Sequence, residues 1–199
     1  MKKVDIIRPR SLRAIIGPSG TLRRILKNRS YFLQRGYDIE IFTHDNIYHG
    51  TNLPPIKQVE KSNESILFKI KAKLRDLASK SYILGVFYVK KDYKHVKKLV
   101  NYYFSLNRKP DIVAFHSVFE CYQFLRKNKR DCKVVCFFHS EGIPFKMILY
   151  WFPKLKNSKF FKKLYNMEQY VAENTDKLIF ITHIGQKNFL LSAILLIKK

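Results

Sequence analysis

The sequence predicts an α/β fold of the doubly wound kind, a mostly parallel sheet with helices on both faces, in a single domain over residues 1–199. Three observations predict it. Short runs of β-branched and aromatic residues recur along the chain, segments of helical period separate them, and the first such unit has glycine at both of its corners. A composition of 46% hydrophobic residues with only seven glycines and seven prolines excludes a fibrous or disordered chain.

The first strand is "VDIIRP", Val4 to Pro9, a β-branched run closed by a proline that cannot donate to a ladder. A turn through Gly17, Pro18, Ser19 and Gly20 then leads to a helix over Thr21 to Arg35, where Leu22, Ile25, Leu26 and Phe32 form a stripe between cationic residues. Gly36 is its expected C-terminal cap, because a left-handed residue is easiest for glycine. "YDIEIFT", Tyr37 to Thr43, alternates and reads as the second strand. A strand, helix, strand unit of this length implies parallel pairing.

Beyond Pro54 and Pro55 the pattern changes to basic helices. In the first, Ile66, Leu67, Ile70, Leu74 and Leu77 fall on one face, with Lys69, Lys71, Lys73 and Arg75 largely off it. The second, Asp92 to Asn107, opposes Val96, Leu99, Val100 and Tyr103 to Lys94, Lys97 and Lys98. "PDIVAFHS" (Pro110 to Ser117) and "KVVCFFHSEG" (Lys133 to Gly142) are apolar on successive positions, as strands covered on both faces should be. Helices follow each of them, at Phe119 to Lys129 and at Tyr165 to Thr175. "DKLIFIT", Asp176 to Thr182, is a further strand, and a last helix starts near Ile184.

The three cysteines, Cys121, Cys132 and Cys136, are odd in number and form no C-x-x-C pair, which argues against a disulfide framework or a zinc knuckle and for a reducing cytosol. The start "MKKVDIIRPR" is too short in apolar residues for a signal-peptide core. The longest late apolar run, Phe189 to Ile197, falls well short of the roughly 20 residues that span a bilayer. With 39 Lys and Arg against 15 Asp and Glu, the formal charge of +24 attracts polyanions, of which nucleic acid and an anionic membrane leaflet are the common ones. Charge alone does not choose between them.

In an open parallel sheet, ligands bind beyond the carboxyl ends of the strands. Standing there in this sequence are Ser19 and Gly20, then Thr43, His44 and Asp45, then His116 and Ser117, then His139, Ser140, Glu141 and Gly142, and last Thr182 and His183. The glycines are not a dinucleotide fingerprint, since the third Gly of G-x-G-x-x-G and a ribose-binding acid after the second strand are missing. Neither a P-loop nor a G-x-S-x-G elbow is present. His44, Asp45 and His49 lack a further Cys or carboxylate and read as a surface loop, so no metal is expected. Between Gly142 and Asn166, Phe145, Met147, Ile148, Tyr150, Trp151 and Phe152 interleave with six lysines, a mixture suited to a membrane interface.

These pieces together resemble the N-terminal half of the family 4 retaining glycosyltransferases of GT-B architecture. Members of that family open with a strand, then "GGAER" and a helix ending "RGHEV". Here Ser19, Gly20, Thr21, Leu22 and Arg23 are followed sixteen residues after Gly20 by Gly36, with Arg35, Tyr37, Asp38 and Ile39 around it. The family's "PDVVHAH" is similar to Pro110–His116, its "VVVTVHG" to Val134–Ser140, and its "E…ADAVIAVS" to Glu168 followed by Thr175–Thr182. Four motifs in the family's order span about nine tenths of the chain. Ser19 stands for the first glycine of the pair and Leu22 for the glutamate.

The resemblance implies a Rossmann-like domain and sugar transfer from a nucleotide-sugar donor to a glycan acceptor, lipid-linked, in surface polysaccharide or glycolipid synthesis. It places His139 on the family's active-site histidine and implies substrate-binding roles for Ser19, Gly20, Arg23, His116, Ser140, Glu168 and Thr182. No cofactor is implied beyond the nucleotide sugar as substrate. Expected partners are the nucleotide sugar, the acceptor, an anionic membrane surface and a donor-binding domain on another chain or in a longer parent, with no specific nucleic acid. The family's second domain, with its E-x7-E motif, has no counterpart in these 199 residues, so the chain alone is expected to turn over little or not at all. The implied location is cytoplasmic, peripheral at the inner face of the plasma membrane. The alternative is a non-enzymatic basic α/β module that binds anionic membrane or nucleic acid.

Overall fold

The computed structural model describes residues 1–8, 17–43, 47–48, 66–127, 131–139, 145–180 and 182–197. Six strands form one sheet in the order β3-β2-β1-β4-β5-β6: β1 (Lys2–Ile7), β2 (Tyr37–Phe42), β3 (Ile47–Tyr48), β4 (Ile112–Phe115), β5 (Lys133–Phe138) and β6 (Lys177–Phe180). All pairings are parallel except that of the two-residue edge strand β3. The sheet is thus the doubly wound, Rossmann-like one that the strand and helix alternation predicts.

Both faces of the sheet are covered, and the sequence shows how. Along β4 and β5, Val113, Phe115, Val134, Cys136 and Phe138 point into one core, while the alternate residues Ala114, Val135 and Phe137 point into the other. The second core is closed by Leu22 and Leu26 of α1 (Gly17–Lys27) with Phe32 of α2 (Arg29–Gln34). The first and larger one is closed by α4 (Tyr82–Ser105), α5 (Val118–Leu125) and α7 (Lys159–Asn174). Phe42, Phe115 and Phe138 are among the largest fully buried side chains. Each contributes about 1.5–3 kcal/mol by leaving water.

Two details of the first unit differ from the sequence expectation. The helix begins at Gly17, so Gly20 is a buried residue inside α1 and not part of a loop. Pro18 permits this, because a proline is tolerated in the first turn, where its missing N–H has no partner to lose. The helix is also broken at Asn28, whose side-chain amide donates to the Arg24 carbonyl at 2.9 Å in competition with the regular ladder. Gly36 takes φ 80° after α2, and its carbonyl accepts the Lys2 N–H at the start of β1.

Strand starts are tied by aspartates. Asp111 accepts the Lys3 N–H at 2.7 Å, and Asp176 accepts the Val134 N–H at 2.7 Å. Under the sheet, fully buried Asp5 of β1 accepts two hydrogen bonds from Arg108, at 2.8 and 3.0 Å, and one from the Tyr103 hydroxyl at 2.7 Å. Arg108 also pairs with Glu40 and lies over the Phe42 ring. Burial and Asp5 push the Tyr103 hydroxyl well above its ordinary pKa, so it keeps its proton and donates it to Asp5.

The helix α3 (Ile66–Lys80) departs from expectation. Its stripe reads as core-facing, yet Ile70, Leu74 and Leu77 are exposed and Ala78 is its buried apolar residue among those described. The second basic helix buries the predicted face, Val96, Leu99, Val100 and Tyr103, but as α4 it starts at Tyr82, ten residues before the expected Asp92, with Ser81 accepting the Leu84 N–H as its cap.

Candidate functional site

The strand order changes direction between β1 and β4, the place where a doubly wound sheet takes its ligands beyond the carboxyl ends of the strands. Three polar residues leave neighbouring strands of the sheet at this edge. Arg8 follows β1 directly, His116 follows β4 and His139 follows β5. Parallel pairing of β1, β4 and β5 puts the three exits on the same edge.

His116 Nδ1 and His139 Nε2 lie 2.5 Å apart, one ring donating its N–H to the other. The His116 ring also stacks on Phe137, with centroids 4.7 Å apart and planes within 4°. Arg8 is 8% exposed, and its backbone N–H donates to the Phe42 carbonyl, which fixes the residue at the strand end.

Electrostatics decide the charge of the pair. Burial, then His139, then Arg8 lower the His116 pKa to about 3. Burial and Arg8 lower that of His139. Both imidazoles are therefore neutral at pH 7, and the guanidinium of Arg8 is the cation that acts on them. Among the described residues no cluster of three His, Cys, Asp or Glu side chains forms, so the pair has no third metal-ligating neighbour there.

Beside the pair is a cavity of about 340 Å³. His116, His139 and Phe137 line one side of it. Ser117, Val118 and Phe119 at the start of α5, with Phe145, Met147 and Ile148 at the start of α6 (Lys146–Trp151), line the rest. Ser117 is itself occupied in capping α5, accepting the Phe119 N–H at 3.3 Å. The cavity thus offers two neutral imidazoles on one side and an aromatic and aliphatic wall on the other.

The sequence-predicted residues divide accordingly. His116 and His139 come together as the exits of neighbouring strands. Glu168 does not line the cavity; from α7 its buried carboxylate accepts the Phe145 N–H at 3.0 Å and so holds the cavity wall in place. Burial raises its pKa to about 7. Thr182 is exposed, and its hydroxyl accepts the Gly185 N–H at 3.0 Å, capping α8 (His183–Ile197). Gly20 and Arg23 are buried positions of α1. Ser140, with Glu141, Gly142, His44, Asp45 and His49, lies outside the described residues, as does the side chain of Ser19.

Sequence reasoning missed Arg8 and the Phe145–Ile148 wall. A lone Arg at the end of "VDII" was the available signal, since a cation rarely closes a buried strand without a task. Comparison with protein-family models and with curated proteins finds no match for this sequence.

Proposed function

We propose that the chain is the acceptor-side domain of a retaining glycosyltransferase of GT-B architecture, moving a sugar from a nucleotide sugar to a lipid-linked glycan acceptor in surface polysaccharide or glycolipid synthesis. The nucleotide-gripping residues are supplied from outside these 199 residues, by a partner chain or a longer parent. The observation that carries this reading is the His116–His139 pair beside a cavity at the carboxyl edge of a doubly wound sheet, with the Arg8 guanidinium acting on both rings.

The chemistry is consistent. Departure of a nucleoside diphosphate builds up negative charge, and a fixed, largely buried guanidinium such as Arg8 stabilises it without reorganisation. Neutral imidazoles hydrogen-bond sugar hydroxyls and add no competing charge. The apolar wall of Phe119, Phe145 and Met147 suits the C–H face of a pyranose ring. The reading places the chain in the cytoplasm, peripheral at the inner face of the plasma membrane. Among the described residues no helix is long and apolar enough to cross a membrane.

The test is transfer of labelled sugar from a panel of nucleotide sugars to lipid-linked acceptor, with and without candidate donor-domain chains. His139→Ala is expected to lower transfer on the order of 100-fold. Transfer undiminished in that variant would overturn this account of the site. A second, non-enzymatic reading, a basic module held at an anionic membrane, is favoured by the exposed apolar residues of α3 and α6.

A further inference from the structure

The helices α3, α4 and α6 meet around the 3-10 turn Pro153–Leu155 and form a continuous side of the molecule. Their meeting is close. Gly85 of α4 leaves room for Phe152 and Leu155, the Tyr88 and Phe152 rings are 5.9 Å apart, and the Arg75 guanidinium of α3 sits 5.7 Å from the Trp151 ring of α6.

This side exposes large apolar groups in helical register. Ile70, Leu74 and Leu77 occupy i, i+4 and i+7 on α3, Ile83 and Phe87 occupy i and i+4 on α4, and Tyr150 and Trp151 end α6. Ile83 is 76% exposed and Tyr150 77%, which leaves these side chains standing in water. Exposed cations flank them: Lys73 beside the α3 stripe, Arg75 reaching from α3 to the Trp151 ring, Lys90 and Lys91 on α4, Lys146 on α6, and Lys154 and Lys156 beside the turn. Between Phe145 and Leu164 there are six lysines and no acidic residue.

We infer that this side docks on an anionic bilayer surface, with the apolar groups in the acyl boundary and the lysines at lipid phosphates. The mixture decides the occupant. A second copy of the chain would bring lysine against lysine, so self-pairing is opposed by charge. A nucleic-acid backbone would satisfy the lysines and leave Ile83, Phe87 and Leu74 against phosphate and water. An anionic interface satisfies both, since Trp and Tyr favour that depth and each Lys near the surface adds about 1 kcal/mol.

The structure adds a connection that composition does not contain. Met147 is half-exposed and also lines the cavity beside His116 and His139, and Ile148 and Phe145 share that wall. Helix α6 therefore belongs both to the docking face and to the cavity. A lipid-linked ligand reaches the histidine pair along α6 without leaving the interface. This last step rests on the proposed function, whereas docking itself does not.

The molecule carries its own probe, because Trp151 is the single tryptophan. The purified chain is mixed with vesicles of phosphatidylglycerol and phosphatidylethanolamine, and separately with phosphatidylcholine vesicles, while Trp151 emission and co-sedimentation are followed. A blue shift and co-sedimentation with the anionic vesicles are expected. The double variant Ile83→Ser, Phe87→Ser, whose sites are exposed and whose circular dichroism serves as the folding control, is expected to partition at least about tenfold less. Binding with no Trp151 shift, binding unaffected by the double variant, or loss of vesicle binding with retained binding to duplex DNA would each overturn the proposal. No donor or acceptor is needed, so failure of sugar transfer leaves the result standing, and the reverse holds too.

Discussion

Glu168 Oε2 accepts the backbone N–H of Phe145 at 3.0 Å, so a buried carboxylate on α7 fixes the residue that opens α6 and lines the cavity. Burial raises its pKa from the ordinary 4.5 to about 7, so folded Glu168 keeps a proton that an unfolded glutamate has lost. Its contribution to stability is therefore fully present below pH 4.5 and is lost as pH rises to about 7. Glu168→Gln keeps an acceptor oxygen and cannot titrate. In urea denaturation between pH 5 and 8, the wild type should lose on the order of 2 kcal/mol relative to the glutamine variant. Parallel pH profiles for the two proteins would remove Glu168 from this role.

His116 gives the opposite sign. Its folded pKa of about 3 lies below the ordinary 6.5, so its contribution is present above pH 6.5 and lost as pH falls toward 3. His116→Phe preserves the stack on Phe137 and abolishes the titration. Relative to that variant, the wild type should lose about 2–3 kcal/mol between pH 6.5 and 4, read from denaturation midpoints.

The Asp5 cluster predicts a large cost for one truncation. Arg108→Leu removes both guanidinium hydrogen bonds from fully buried Asp5 and leaves it the one from the Tyr103 hydroxyl. Removing one member of a buried ion pair costs about 3–5 kcal/mol, because the remaining charge is uncompensated. Chemical denaturation showing less than about 1 kcal/mol would mean that water reaches Asp5.

Gly85 separates two effects. A Cβ there would sit 3.4 Å from Phe152 Cβ and 3.5 Å from the Leu155 side chain, ordinary contact distances. Gly85→Ala should therefore be neutral or stabilise α4 by up to about 1 kcal/mol through helix propensity. Gly85→Leu should cost about 1–3 kcal/mol, since the larger side chain must displace Phe152 or Leu155. Thermal melts of both variants provide the check, and equal effects would contradict this packing.

The strands and the two histidines were legible because both depend on local pattern. An apolar run of strand length followed by His is read directly at "IVAFHS" and "VVCFFHS", and parallel pairing then aligns the two exits. Arg8 was not legible, since its importance arises from the neighbours that β1 finds in space. The Phe145–Ile148 wall was read only as part of an aromatic, basic insertion, because a cavity is a relation among α5, α6 and β5. Periodicity also misled at α3. An apolar stripe at Ile70, Leu74 and Leu77 reports an amphipathic helix and is silent on whether protein covers it. The glycine pair misled in another way: Gly20 reads as a loop residue, yet Pro18 starts the helix early enough to enclose it.

Asp111 and Asp176 lie at the amino end of the sheet, far along the strands from the histidines. Each carboxylate finds its amide on the neighbouring strand only in one register, and a slip by one residue in β1–β4 or β5–β6 would strand a charged acceptor. The Asp111 carbonyl also accepts the Lys133 N–H, which extends the same alignment to β4–β5. These aspartates therefore act as indexing pins. They set the relative height at which Arg8, His116 and His139 leave the opposite edge, so the spacing of the imidazole pair is determined a full strand length away from it.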